Sequence, residues 1–165
     1  MSASGTDWAA PKPTGAPLPQ LPPPPRASSA AARNVMRANR KTGTQPELRL
    51  RRALHRLGLR YRVGRRLPSP VLATPDLIFV RYRVAIFVDG CFWHGCPDHG
   101  VQPKVNVAYW TAKLALNRAR DLRVDAALHS VGWLPIRVWE HDDPDRAAEH
   151  IRAAVTRMKS HVIGT

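Results

Sequence analysis

The sequence predicts a mixed α/β (α+β) fold: a mixed central sheet flanked by helices, in the order helix, three strands, helix, strand, helix. Three observations carry this. Residues 44–58 and 109–129 place apolar side chains at helical spacing. Two short β-branched runs, 76–80 and 84–88, are separated by three residues, as in a hairpin. Hydrophobic residues make up 44 % of the 165, enough to build a core.

Taken in order, residues 1–32 stand outside the fold. Eight prolines lie in 11–25 among Ala, Gly and Ser, a composition too poor in apolar surface to offset chain entropy, so a disordered tail is expected. Residues 33–160 then form a single domain. It opens with a basic arm, 33–43, which carries Met36, Arg37 and Arg40 and reads either as a phosphate-binding segment or as a solvated linker. The first helix starts at Thr44-Gln-Pro-Glu47, where Thr44 caps, Pro46 suits the first turn and Glu47 completes a capping box. Leu50, Ala53, Leu54 and Leu57 form its apolar face, Arg49, Arg52 and Arg56 its cationic one, and Gly58 ends it.

Tyr61-Arg-Val63 alternates as a strand, and the two runs around Arg81-Tyr-Arg83 follow as a buried hairpin. The second helix has Trp110, Leu114 and Leu122 on its apolar side, with Lys113, Arg118, Arg120 and Arg123 on its wet sides. Gly132 breaks it, 133–139 is a fourth strand, and Ala147, Ile151 and Val155 mark a last helix after Pro144.

Twenty-six Lys and Arg against twelve Asp and Glu give a formal net charge of +14. Twelve of these cations lie in 33–66, against one acid, Glu47. Such a charge calls for a polyanionic partner, nucleic acid first. No apolar run approaches the ~20 residues of a membrane span. A cytoplasmic chain with no membrane association is expected, and its two closely spaced cysteines are then metal-binding or catalytic rather than a disulfide scaffold.

Chemistry-bearing residues gather in two places. Asp76 opens one strand of the hairpin and Asp89 closes the other, so antiparallel pairing would bring the two carboxylates together. Adjacent carboxylates call for a cation, and Mg²⁺ accepts one or two carboxylates plus phosphate oxygen. Taken alone, Asp76 also reads as a turn residue after proline. His94 can deprotonate water near neutral pH; a zinc ligand or an inert surface histidine are the alternatives. Cys91-x4-Cys96-x2-His99 offers three zinc ligands, and His141 at the end of the fourth strand can supply a fourth; two reduced, packed cysteines are the alternative. Phe92 and Trp93 stand in this polar loop outside any apolar periodicity, suited to stacking on bases or to burial against the first helix, and Trp110 poses the same choice.

These residues carry a specific resemblance. Asn34-Val-Met-Arg-Ala38, Glu47, Pro75-Asp76, Phe87-Val-Asp-Gly-Cys-Phe-Trp-His94, Tyr109-Trp110, Lys113, Asn117, Arg120-Asp121, Gly132-Trp133 and Val138-Trp-Glu-His141 follow the pattern of the very short patch repair endonucleases over about residues 33–142. That family nicks DNA beside a T:G mismatch. The resemblance implies a restriction-endonuclease-like core with a structural zinc loop, a catalytic Mg²⁺ held by Asp76 and the main-chain carbonyl of Val88, and His94 as the base that activates water. It implies an active-site role for Glu47, an aromatic wedge of Phe92, Trp93 and Trp110, and an intercalating Met36. It maps the structural Zn²⁺ to Cys91, Cys96, His99 and His141.

The implied partners are mismatched double-stranded DNA and, functionally, a cytosine-5 methyltransferase. The implied setting is a monomer on the bacterial nucleoid. Two departures stand out. Asp89 occupies the place of a second active-site histidine in the best-known member and could bind metal directly. The zinc loop is shorter, with Cys and His exchanged and His141 replacing a cysteine. The same fold also hosts restriction-type nucleases that do not read mismatches, and a non-catalytic zinc DNA-binding module is a third reading.

Overall fold

In the computed structural model, residues 21, 23, 43–67, 71–100 and 103–163 are described. Nearly all of the tail and arm, including Met36, Arg37 and Arg40, lies outside them.

Helix α1, Gln45–Arg56, follows Thr44, whose hydroxyl accepts from the Glu47 N–H at 3.4 Å, with Pro46 in the first turn. The Glu47 carboxylate reaches one residue further back than a capping box requires, and Oε2 accepts from the Gly43 N–H at 2.5 Å. Strand β1, Arg62–Val63, is two residues long and forms the sheet edge. Strands β2, Leu77–Phe79, and β3, Val84–Asp89, form the hairpin, joined by a 3₁₀ turn at Val80–Tyr82. Arg83 takes φ 52° to close that turn. A short helix α2, Cys91–His94, follows β3 directly, where the glycines and proline suggest only a loop. Helix α3, Val107–Ser130, crosses back to β4, Leu134–Trp139, and α4 spans Pro144–Ile163.

The sheet order is β1-β2-β3-β4, antiparallel except for the parallel pair β3–β4. Strand alternation sorts the side chains onto two faces. Leu77, Phe79, Val84, Ile86, Ile136 and Val138 pack against Leu50, Ala53 and Leu54 of α1 and Ala148, Ile151 and Val155 of α4. Ile78 and Ala85 turn to the other face, against Leu128 and Trp133. Each fully buried Leu or Ile there contributes roughly 1.5–3 kcal/mol. The result is a restriction-endonuclease-like layering of helices on a mixed sheet.

Helix α3 departs from expectation in what it buries. Asn117 and Leu128 are its buried residues, whereas Trp110, Leu114 and Leu122 are only partly covered. Leu128 is buried in the core with Val124 packed against the same cluster, whereas the middle of α3 faces a polar cluster at the ends of β3 and β4. No helix among the described residues is long and apolar enough to cross a membrane.

Candidate active site and zinc cluster

The start of β2 and the ends of β3 and β4 meet at one edge of the fold. Asp76 precedes β2; its N–H donates to the Ile86 carbonyl at 2.9 Å and its Oδ2 accepts from the Val88 N–H at 2.7 Å. The hairpin thus binds the Asp76 carboxylate to the backbone residue expected to share its metal. Burial raises the Asp76 pKa to about 6, reinforced by the charges of Glu47 and Asp89 and opposed by the Val88 hydrogen bond. Glu47 is 1 % exposed, and its Oε1 has no hydrogen-bond partner; the Arg51 guanidinium approaches it only to 3.6 Å. A buried carboxylate oxygen without a hydrogen-bond partner, near a second, largely buried carboxylate, is the donor set a hard divalent cation takes up. The residues present therefore fit Mg²⁺.

Asp89 faces elsewhere. Successive residues of a strand point to opposite faces, so Asp89 leaves the Val88 side and turns toward α3. Both of its oxygens accept from Arg137 Nη1, at 3.0 and 2.9 Å. Burial still raises its pKa, more than Arg137 and His94 lower it. The Asp89 charge reaches Asp76, while each of its oxygens accepts one bond from Arg137.

His94 ends α2 with Nδ1 2.6 Å from Asp121 Oδ2. An ionised carboxylate only accepts, so the ring proton sits on Nδ1 and Nε2 is left as a basic site. Burial works to raise the Asp121 pKa, but the His94 hydrogen bond and the charges of Arg137, His94 and Arg120 outweigh it and hold it low. A base oriented by a carboxylate is the arrangement that water activation requires. Arg137 has no place in the sequence motifs, and Asp121 enters them only as part of the resemblance, without a role. Their signals were present: Asp121 and Asp125 one helical turn apart, and a lone arginine inside the apolar β4.

The four candidate zinc ligands come together. The donor atoms of Cys91, Cys96, His99 and His141 all lie within 4.8 Å of one another. His141 Nδ1 is 3.0 Å from Cys91 Sγ and 3.7 Å from Cys96 Sγ, and His99 Nδ1 is 4.0 Å from Cys96 Sγ. Tetrahedral zinc, with bonds of about 2.0–2.3 Å, places its ligand atoms at such separations. Burial, then Cys96 and Glu140, push the Cys91 thiol pKa up, so a thiolate there needs a cation beside it. Glu140 Oε1 accepts from the Cys91 N–H at 2.7 Å, which ties the loop to the end of β4 independently of metal.

Phe92 and Trp93 belong to neither core cluster. With Trp110 they form a cluster of T-shaped rings, centroids 5.1–5.9 Å apart, half-buried on α3. Tyr109 extends it, and Asn117 Nδ2 donates to the Trp93 carbonyl at 2.9 Å.

A basic chain with carboxylates at the ends of its sheet strands, and beside them a histidine–aspartate pair from the flanking helices, has the make-up of a metal-dependent nuclease. Comparison gives the family. The sequence model of "DNA mismatch endonuclease Vsr" matches residues 27–99. Type II nicking enzyme V.NaeI of Lentzea aerocolonigenes is 51 % identical over 110 residues, 66 % of each chain. Type II nicking enzyme V.XorIIP of Xanthomonas oryzae pv. oryzae is 40 % identical over 132 residues, 77 % of this chain and 92 % of the relative. DNA mismatch endonuclease Vsr of Escherichia coli is 37 % identical over 107 residues, 64 % of this chain and 66 % of the relative. The chain belongs to the Vsr family and is a hydrolytic, strand-nicking DNA endonuclease.

Proposed function

We propose that the protein nicks one DNA strand beside a T:G mismatch in a Mg²⁺-dependent reaction. The observation that carries this is the sequence of α2: Phe92 and Trp93, in the aromatic cluster, directly precede His94, in the base pair with Asp121. A four-residue helix thereby couples recognition of unstacked bases to water activation. Unstacking costs least at a mismatch, so rings that need an opened step select for one.

In this reading Asp76, the Val88 carbonyl and Glu47 hold Mg²⁺, which when bound polarises the scissile phosphate and stabilises its developing charge. His94 Nε2 takes the proton of the attacking water while Asp121 holds the ring. The water oxygen adds to phosphorus, one P–O ester bond breaks, and the departing oxygen ends protonated. Zn²⁺ on Cys91, Cys96, His99 and His141 is structural, since four protein ligands leave no open position. Met36, Arg37 and Arg40 supply the arm on the duplex. A T:G pair arises when 5-methylcytosine opposite guanine loses its amino group, which motivates the link to a cytosine-5 methyltransferase.

Cleavage of a panel of duplexes, matched and carrying each mismatch, with and without Mg²⁺, tests the proposal. Preferential nicking of T:G duplexes supports it; equal nicking of all duplexes removes the mismatch assignment. The relatives named as type II nicking enzymes favour a second reading, a restriction-type nickase bound to a base sequence alone. The same panel, with the flanking sequence varied, distinguishes the two.

A further inference from the structure

We propose that Arg137 is a positioning residue for nicking: by occupying Asp89 it leaves Asp121 as the acceptor that orients His94. The inference rests on the assignment of His94 as the base. His94 Nδ1 has two carboxylates within reach, Asp121 Oδ2 at 2.6 Å and Asp89 Oδ1 at 3.6 Å. A modest pivot of the ring would exchange one for the other and swing Nε2 away from its working direction.

Arg137 decides between them. It stands mid-strand in β4, on the α3 face, flanked by Ile136 and Val138 of the opposite face. Its side chain is 20 % exposed, and a guanidinium this covered persists only when its donors are matched. Nη1 serves both oxygens of Asp89. Nε and Nη2 grip Asp125 as a fork, at 2.9 and 3.0 Å. Nη2 also reaches the Asp121 main-chain carbonyl at 3.4 Å and lies 3.6 Å from its Oδ1. The Phe87 ring holds the plane at 4.8 Å from its centroid. Asp121 therefore offers Oδ2 to His94 while its other side is braced; the second cation on Oδ1, Arg120, is 57 % exposed and correspondingly weak. Lysine has the charge but not the fork, and cannot hold Asp89 and Asp125 at once.

The test uses the full chain with its zinc, in single-turnover nicking of the best mismatched duplex at saturating DNA and Mg²⁺. Arg137→Lys should melt within a few degrees of the parent, bind DNA equally and nick at least about tenfold more slowly. In a His94→Ala background the same substitution should add no further loss, because its effect passes through the imidazole. Adding Asp89→Ala to Arg137→Lys should recover part of the rate by removing the competing acceptor. A parental rate in Arg137→Lys, losses that multiply in the double variant, or an unfolded Arg137→Lys would each overturn the inference. An active His94→Ala enzyme would instead overturn the assignment of the base.

Discussion

His94 Nδ1 and Asp121 Oδ2 lie 2.6 Å apart, joining the last residue of α2 to the middle of α3 across 27 positions of sequence. The carboxylate selects the tautomer that leaves Nε2 basic, and it compensates the charge the ring acquires on taking a proton. Asp121→Asn keeps the size and removes both effects. General-base assistance contributes typically 10²–10⁴-fold, so nicking should fall by roughly 100-fold or more with DNA affinity unchanged. Single-turnover rates and a binding isotherm separate the two; a mild loss would show the pair to be structural.

Asp76→Asn should be the most damaging single change to nicking, by about three orders of magnitude, because it removes the charged donor of the proposed magnesium site. DNA affinity should stay level or improve, since an anion facing phosphate is gone. Activity comparable to the parent would place the catalytic metal elsewhere.

The raised Asp76 pKa also predicts a pH dependence of stability. The folded value, about 6, lies above the ordinary value of 3.8, so the folded protein holds this proton more tightly. The resulting stabilisation is complete below pH 3.8 and is lost as pH rises toward 6. It amounts to on the order of 1–3 kcal/mol. In Mg²⁺-free buffer, the Asp76→Asn variant should therefore gain stability over the parent at pH 7.5, and the gain should vanish near pH 4. Urea unfolding at the two pH values measures it; a chelator is to be avoided because it would strip zinc too. An equal difference at both pH values would contradict the burial of an ionised Asp76.

The sequence made the order of elements legible, because helical and strand periodicities do not overlap in this chain. It also made the zinc quartet legible, since cysteine and histidine in a Gly- and Pro-rich loop have few other uses. The polar cluster was harder. Asp89 pairs with Arg137, 48 positions away, and that pairing depends on the parallel β3–β4 register, which no local motif encodes. Reading Asp89 only against Asp76, whose pKa its charge does raise, left out the arginine that stands beside it on β4. Glu47 read as the reciprocal half of a capping box, but its Oε2 accepts from the Gly43 N–H instead of that of Thr44, and its Oε1 has no hydrogen-bond partner.

Zinc removal should act on fold and activity together. Cys91 and Cys96 are buried, and His141 comes from beyond the end of β4, so the ion would clip the loop that contains Phe92, Trp93 and His94 to the sheet. Elemental analysis should give about one zinc per chain, and His141→Ala should lower both that content and the melting temperature. Excess Mg²⁺ should restore neither, because it prefers all-oxygen sites. Stable, fully active zinc-free protein would return the cysteines to ordinary packed thiols.

The aromatic cluster makes the last prediction. Phe92, Trp93 and Trp110 each touch the other two, with centroids 5.1, 5.2 and 5.9 Å apart, so the three rings form one mutually packed T-shaped cluster. None of the three belongs to either core cluster, so truncating one should leave global stability nearly unchanged. Stacking on a nucleobase contributes about 1–3 kcal/mol per base, which corresponds to roughly 5- to 150-fold in affinity or rate. Trp93→Ala should therefore slow nicking of a T:G duplex by about tenfold or more. It should scarcely affect weak binding to matched duplex, where no step is opened and phosphate contacts dominate. The ratio of the two effects is the informative quantity. Equal losses on matched and mismatched DNA would make the cluster a general backbone platform, and a falling melting temperature would make it part of the core.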